Sequence, residues 1–209
     1  MHIVCLDLEG VLIPEIWINF AQKTGIEELR LTTRDVPDYD VLMQGRLRIL
    51  RERGLTLSDI QQVIGTLSPL EGALDFLNSL RRKTQVIILS DTFTEFAQPL
   101  MKKLGWPSIF CNSLVVDEND MITDYTLRRK DGKQKAVKAL QGLGFKVFAA
   151  GDSYNDLTMI KSADSGALFR APKRIIEEEP QLPHTVTYSE FEEIIDTFIG
   201  FKSEKKDFS

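Results

Sequence analysis

Hydrophobic positions along this chain follow two patterns that change over near residue 70. The first residues hold a short apolar run, Ile3 to Leu8, whose length and β-branched side chains fit a strand better than a helix. Ile13, Ile16, Trp17 and Phe20 then recur at helical spacing, and Gly25 marks a stop. Arg34 to Tyr39, with Pro37, reads as a loop. Met43, Leu47 and Leu50 predict a second helix ending near Gly54, and Ser58 precedes a third with Ile60, Val63 and Ile64 on its apolar face. Residues 13–66 therefore read as one helical block.

After Pro69 and Gly72 the pattern alternates. A helix over Gly72 to Arg82 leads into a strand over Gln85 to Leu89, then SDTF, then a helix through Leu104 to the break at Gly105 and Pro107. Ile109 to Val116 and Met121 to Leu127 flank the turn-rich DEND and predict a hairpin. A helix over Gln134 to Leu143 and a strand over Lys146 to Ala150 follow, then GDSYND and a helix to Ala163. Ala167 to Phe169 and Thr185 to Thr187 read as short strands, Ser189 to Phe198 as a last helix, and SEKKDFS as a frayed end. Alternating strands and helices imply a mostly parallel sheet covered on both faces. The expected fold is α/β: a Rossmann-like parallel sheet core of residues 1–12 and 70–209, with a helical cap of residues 13–69 inserted after the first strand.

Composition narrows the function. The 209 residues are 43% hydrophobic and 27% charged, which fits a packed globular protein. A net charge of −5 gives no basic face for nucleic acid. Cys5 and Cys111 suit core packing in a reducing compartment, and with no CxxC and only His2 and His184, a zinc site is not expected. The N-terminus lacks a basic segment and is interrupted by Asp7, so it does not read as a signal peptide. No apolar run approaches the ~20 residues that span a bilayer. A cytoplasmic protein without nucleic-acid or membrane partners is expected.

Chemistry concentrates at three predicted strand ends: DLEGV, SDT and GDSYND. In open parallel sheets the carboxyl ends of strands share one edge, so segments distant in sequence meet there. Asp7 and Glu9 lie roughly 6–7 Å apart on an extended chain and repel unless a cation or proton lies between them. Alone, the pair fits equally well as acids at a helix N-terminus. Asp152 and Asp156 likewise fit N-capping by Asp152 or Ser153, with Asp156 favouring the helix dipole. That leaves the second acidic strand end unexplained. Asp7 with Asp152 makes a hard-oxygen site suited to Mg²⁺. The Ser90 hydroxyl, with the N–H groups of Asp91 and Thr92, suits an anion. Lys133 lies in a basic patch with Arg128, Arg129, Lys130 and Lys135, where a solvated role is the commoner one. Together the parts describe phosphoryl transfer through a carboxylate nucleophile. No GxxxxGK[ST] is present, so a Walker-type nucleotide site is not supported.

The set resembles the haloacid dehalogenase superfamily of phosphohydrolases, whose four ordered motifs appear here as DLEGV, the Ser of SDT, a lysine, and GDSYND. The early helical cap is of the phosphoserine phosphatase type. The resemblance implies that Asp7 attacks phosphorus and Glu9 acts as acid and base. It implies that Asp7, the Glu9 carbonyl and Asp152 hold Mg²⁺, with Asp156 supporting them. Ser90 and Lys133 would grip phosphoryl oxygens, and Asn155 would touch the substrate. Lys133 is preferred to Lys130 and Lys135 because KQKAVKAL matches the lysine-then-helix pattern. Two departures stand out: Glu9 replaces the usual Asp, and SDT replaces SGG, adding Asp91 beside the substrate. Both, with PEIW, TTRD, PDYDVLM, RLRIL, PLEGA, ILSDTF, QPLM and AAGDSYND, are similar to the bacterial group that combines phosphoserine phosphatase and homoserine phosphotransferase activities. That narrower resemblance implies phosphoserine and homoserine as substrates, Glu15 receiving the ammonium and Arg46 gripping the carboxylate. It also leaves the cap as a surface for a homodimer. Read without it, Glu15 is an acid favoured in a first helical turn and Arg46 a solvated helix residue.

Overall fold

The computed structural model describes residues 1–32, 35–36 and 38–201. The frayed end expected over SEKKDFS, and Arg34 and Pro37 of the expected loop, lie outside the described residues. In chain order the elements are β1 (His2–Leu6), α1 (Ile16–Thr24), α2 (Tyr39–Glu52), α3 (Leu57–Gly65), α4 (Ala73–Lys83), β2 (Gln85–Phe93), α5 (Thr94–Met101), β3 (Ile109–Val116), β4 (Ile122–Thr126), α6 (Gly132–Gly142), β5 (Lys146–Gly151), α7 (Leu157–Ser162), β6 (Ser165–Phe169), α8 (Lys173–Glu178), β7 (His184–Thr185) and α9 (Tyr188–Ile199).

The strands form one seven-stranded sheet in the order β4-β3-β2-β1-β5-β6-β7, parallel except for the β3–β4 hairpin. Alternation along each strand sends side chains to opposite faces. Val4, Leu6, Ile88, Phe148 and Ala150 join one apolar cluster, which also takes in α4, α5, α9 and the buried faces of α1, α2 and α3. Ile3, Cys5, Ile87, Leu89, Val147 and Ala149 join the other, beneath α6, α7 and α8. The connection from β1 goes to β2 on one side, while β5 lies on the other. The carboxyl ends of β1, β2 and β5 therefore border the topological switch point.

The α/β architecture and the helical block appear as expected, with local differences. Residues 13–15 are not helical: a bridge pairs Glu9 with Ile13, and Pro14 precedes α1. Thr56, not Ser58, caps α3, because its hydroxyl accepts from the Asp59 N–H while Asp59 accepts from the Thr56 N–H. Thr187 is likewise the cap of α9, paired with Glu190, which confines β7 to His184–Thr185. β2 runs on through SDTF, with a register shift against β3 between Leu89 and Phe93. The six-residue α8 was not foreseen; only Ile175 in it is fully buried.

One side chain ties three elements on the far side of the sheet. Asp164 accepts from the Val147 N–H at 2.9 Å, from Gln141 at 3.0 Å and from Lys146 at 3.0 Å. These bonds, the Val147 N–H first, hold its carboxyl down at about 2. A carboxyl depressed on folding contributes its stability above its unfolded value and loses it as pH falls through the folded one. Asp164→Ala is expected to lower the urea midpoint at pH 7 by the equivalent of about 1–2 kcal/mol. The gap to wild type should narrow as pH falls from about 4 towards 2; a gap of constant size would place the effect elsewhere.

Candidate active site

The end of β1 is fastened to β5 by the Asp7 N–H, which donates to the Ala150 carbonyl at 2.9 Å. The chain then reverses tightly. Gly10 has φ of +75°, and a Cβ there would lie 2.4 Å from the Asp152 carboxyl carbon. Only glycine both adopts this backbone and leaves room for the facing carboxylate. The reversal brings Glu9 back so that its Oε2 accepts from the Ile16 N–H, at the start of α1, at 2.8 Å. The acid is thus also a cap for that helix, so the two readings of its role coincide in one side chain.

At the end of β5, Gly151 plays the same part for Asp156, whose carboxyl carbon would lie 2.2 Å from a Cβ. Asp156 is fully buried. Its Oδ2 accepts from the N–H groups of Asp152 and Ser153 at 3.2 and 3.1 Å, and its Oδ1 from Lys133 at 2.7 Å. Capping and anchoring therefore share one residue, and Asp156 is the cap where Asp152 or Ser153 was expected. Lys133, in the first turn of α6, is 5% exposed and also pairs with Asp7 at 2.9 Å and Asp91 at 3.4 Å. Burial opposes its charge, but Asp156 and Asp7 outweigh burial and hold it protonated. Lys135 is exposed and only near Asp131, and Lys130 is exposed.

These residues line a cleft of about 190 Å³. Of the residues expected from sequence, Asp7, Glu9, Glu15, Arg46, Ser90, Asp91, Lys133, Asp152 and Asn155 all face it, while Asp156 lies buried behind. Two expectations change in detail. The Thr92 N–H is spent on the Ser90 hydroxyl at 3.2 Å, so it is not free for an anion. Asn155 donates to Asp91 at 2.8 Å. Arg46 is not solvated: it is 8% exposed, stacks over Trp17 at 4.5 Å and donates to the Leu31 carbonyl at 2.7 Å. Its Nε has no hydrogen-bond partner among the described residues. Trp17, Tyr39 and Thr92 also line the cleft and were missed. Trp17 carried a signal only as part of an apolar stripe, and Tyr39 only as the end of a loop.

The carboxylates of Asp7, Glu9, Glu15, Asp91 and Asp152 outnumber the two cations, Lys133 and Arg46. Burial, then the nearby Asp156 charge, raises Asp7 well above the usual carboxylate range, with Lys133 opposing. The same two causes bring Asp152 to about 7. Burial, then Glu15, pushes Glu9 up to about 8. Such a cleft disfavours a phosphate dianion unless further positive charge is present. Asp7, Asp152 and Asp156 each offer an oxygen within 4.8 Å of the others. With only hard oxygen donors and a glycine cradle at Asp152, the set fits Mg²⁺. Asp156 is already bonded at both oxygens, which leaves Asp7 and Asp152 as the direct ligands.

A family model described as haloacid dehalogenase-like hydrolase matches residues 1–164. A protein of Pseudomonas syringae pv. tomato named phosphoserine phosphatase is 60% identical over 190 residues, covering 91% of this chain and 80% of its own. A Pseudomonas aeruginosa protein named phosphoserine phosphatase ThrH is 58% identical, covering 91% and 93%. Among solved structures, a phospho-aspartyl intermediate analogue of a phosphoserine phosphatase superposes with a TM-score of 0.73 at 20% identity, covering 92% of this chain and 98% of that one. At that identity the likeness speaks for the fold.

Proposed function

This chain belongs to the haloacid dehalogenase-like hydrolases, and on that premise we propose that it is a Mg²⁺-dependent phosphoserine phosphatase that also passes the phosphoryl group to homoserine. The relatives' names support the substrate. The observation that carries it is Arg46: a buried guanidinium on the cleft wall with an unpartnered Nε calls for a planar anion, and the phosphoserine carboxylate supplies one. Glu15 on the same cleft is suited to the ammonium. Ser90 and Lys133 meet the phosphoryl oxygens, and Asn155 lies at the substrate side of Asp91. The cap of residues 13–69 contributes Glu15 and Arg46, and the core of residues 1–12 and 70–209 the chemistry.

Asp7 attacks phosphorus through a carboxylate oxygen, and the bond from phosphorus to the serine oxygen breaks as Glu9 delivers its proton there. Glu9, now a carboxylate, takes a proton from water or from the homoserine hydroxyl. That oxygen attacks phosphorus, and the bond to Asp7 breaks. Mg²⁺ held by Asp7, Asp152 and the Glu9 carbonyl would neutralise charge on the phosphoryl oxygens. Homoserine presents the same ammonium and carboxylate as serine, so Glu15 and Arg46 read both acceptor and donor.

Arg46→Ala should lower kcat/KM for phosphoserine by about 10- to 100-fold, the worth of a charged hydrogen bond. Phosphoethanolamine, which lacks the carboxylate, should change less than threefold. Equal losses on both would make Arg46 a scaffold residue. Adding homoserine to the wild-type reaction should divert phosphate to homoserine; phosphate released only as inorganic phosphate at saturating homoserine would leave a plain phosphatase.

A further inference from the structure

Resting on the acid/base reading of Glu9, we propose that Thr92 is a positioning residue that aims the Glu9 carboxyl at the leaving oxygen. Thr92 stands two residues beyond Ser90 on β2, 7% exposed, on the wall of the cleft. Its N–H is bonded to the Ser90 hydroxyl at 3.2 Å, and its own hydroxyl bonds to the Glu9 carboxyl. The Ile16 N–H fixes Oε2 from the opposite element at 2.8 Å. A backbone N–H can only donate, so Oε2 is an acceptor and the transferable proton belongs on Oε1. One contact alone would let the glutamate, with its extra methylene, turn about the remaining torsions. Two contacts from separate elements hold the carboxyl plane. Because Thr92 also holds Ser90, the residue proposed for the phosphoryl group and the acid are set by one turn of chain. Sequence gave Thr92 no role beyond its backbone.

The role predicts a dependence on the leaving group. An aryl phosphate such as p-nitrophenyl phosphate expels a stable anion and needs little help from an acid, whereas the alkyl oxygen of phosphoserine needs a proton as it leaves. kcat/KM reports steps through that departure only, so it separates the acid step from later hydrolysis of the phosphoenzyme. Thr92→Val removes the hydroxyl and keeps the shape and the backbone N–H. General acid catalysis contributes about 10²–10⁴-fold, and a mis-aimed acid forfeits part of it. The variant should lose about 10- to 100-fold in kcat/KM for phosphoserine and less than threefold for the aryl ester. Thr92→Ser, which keeps the hydroxyl, should return phosphoserine turnover to within threefold of wild type. Equal losses on both esters, or a Thr92→Ser variant as slow as Thr92→Val, would overturn the proposal by making the residue a packing element. A wild-type enzyme that turns over neither ester with Mg²⁺ would overturn the underlying reading, and this one with it.

Discussion

Asp7→Asn is expected to lose phosphoserine hydrolysis by on the order of 10⁴-fold or more in kcat, the scale seen when a covalent nucleophile is removed. It should do so without unfolding the protein. The amide has the shape of the carboxyl and still offers Lys133 an acceptor oxygen in place of the 2.9 Å contact. It also removes one charge from a buried group in which Asp7, Asp152 and Asp156 crowd within 4.8 Å. Burial and Asp156 already disfavour the charge on Asp7. The variant's thermal midpoint should therefore match or exceed that of wild type. Mg²⁺-dependent activity persisting in the variant would remove Asp7 from the mechanism.

Lys133→Met should behave in the opposite way on stability. Lys133 is the cation between Asp7 at 2.9 Å and Asp156 at 2.7 Å, and it is 5% exposed. Its loss leaves buried carboxylates uncompensated, which typically costs about 3–5 kcal/mol. Activity should fall about 10²- to 10³-fold, as expected when a charge-stabilising group is deleted from a reaction site. Mg²⁺ binds only the folded chain at this site, so raising its concentration should recover part of the lost stability. Chemical denaturation with and without Mg²⁺ measures both effects. A Lys133→Met protein as stable as wild type would mean that Asp156 is satisfied by its bonds to Asp152 and Ser153 alone. The two variants touch the same ion pair, so opposite signs in stability separate nucleophile from counter-charge.

Much of the site was legible because a parallel sheet brings strand ends to one edge. DLEGV, SDT and GDSYND needed only strand assignments to be placed together, and the sheet order puts β1 between β2 and β5. The choice of Lys133 over its neighbours agrees with its burial against Asp7 and Asp156. What sequence could not carry were contacts decided by tertiary approach. Arg46 is buried because Trp17 of a different helix stacks beneath it. Glu9 caps α1 because Gly10 turns the chain back on itself. Thr92 faces Glu9 because β2 stays extended past Leu89, where SDTF looked like the start of a loop. The short polar α8 and the shift of the α3 cap to Thr56 were missed for a local reason: side-chain capping competes at several adjacent Ser, Thr and Asp positions, and periodicity does not choose among them.

The central claim is a phosphoryl group carried by Asp7 on its way from phosphoserine. Phosphoserine labelled in its phosphate, mixed with enzyme and Mg²⁺ and quenched in acid within the first turnover, tests it directly. The label should appear on the protein, be released by hydroxylamine as an acyl phosphate is, and map to the peptide holding Asp7. Label on Ser90, or steady turnover with no labelled protein at any quench time, would contradict the account.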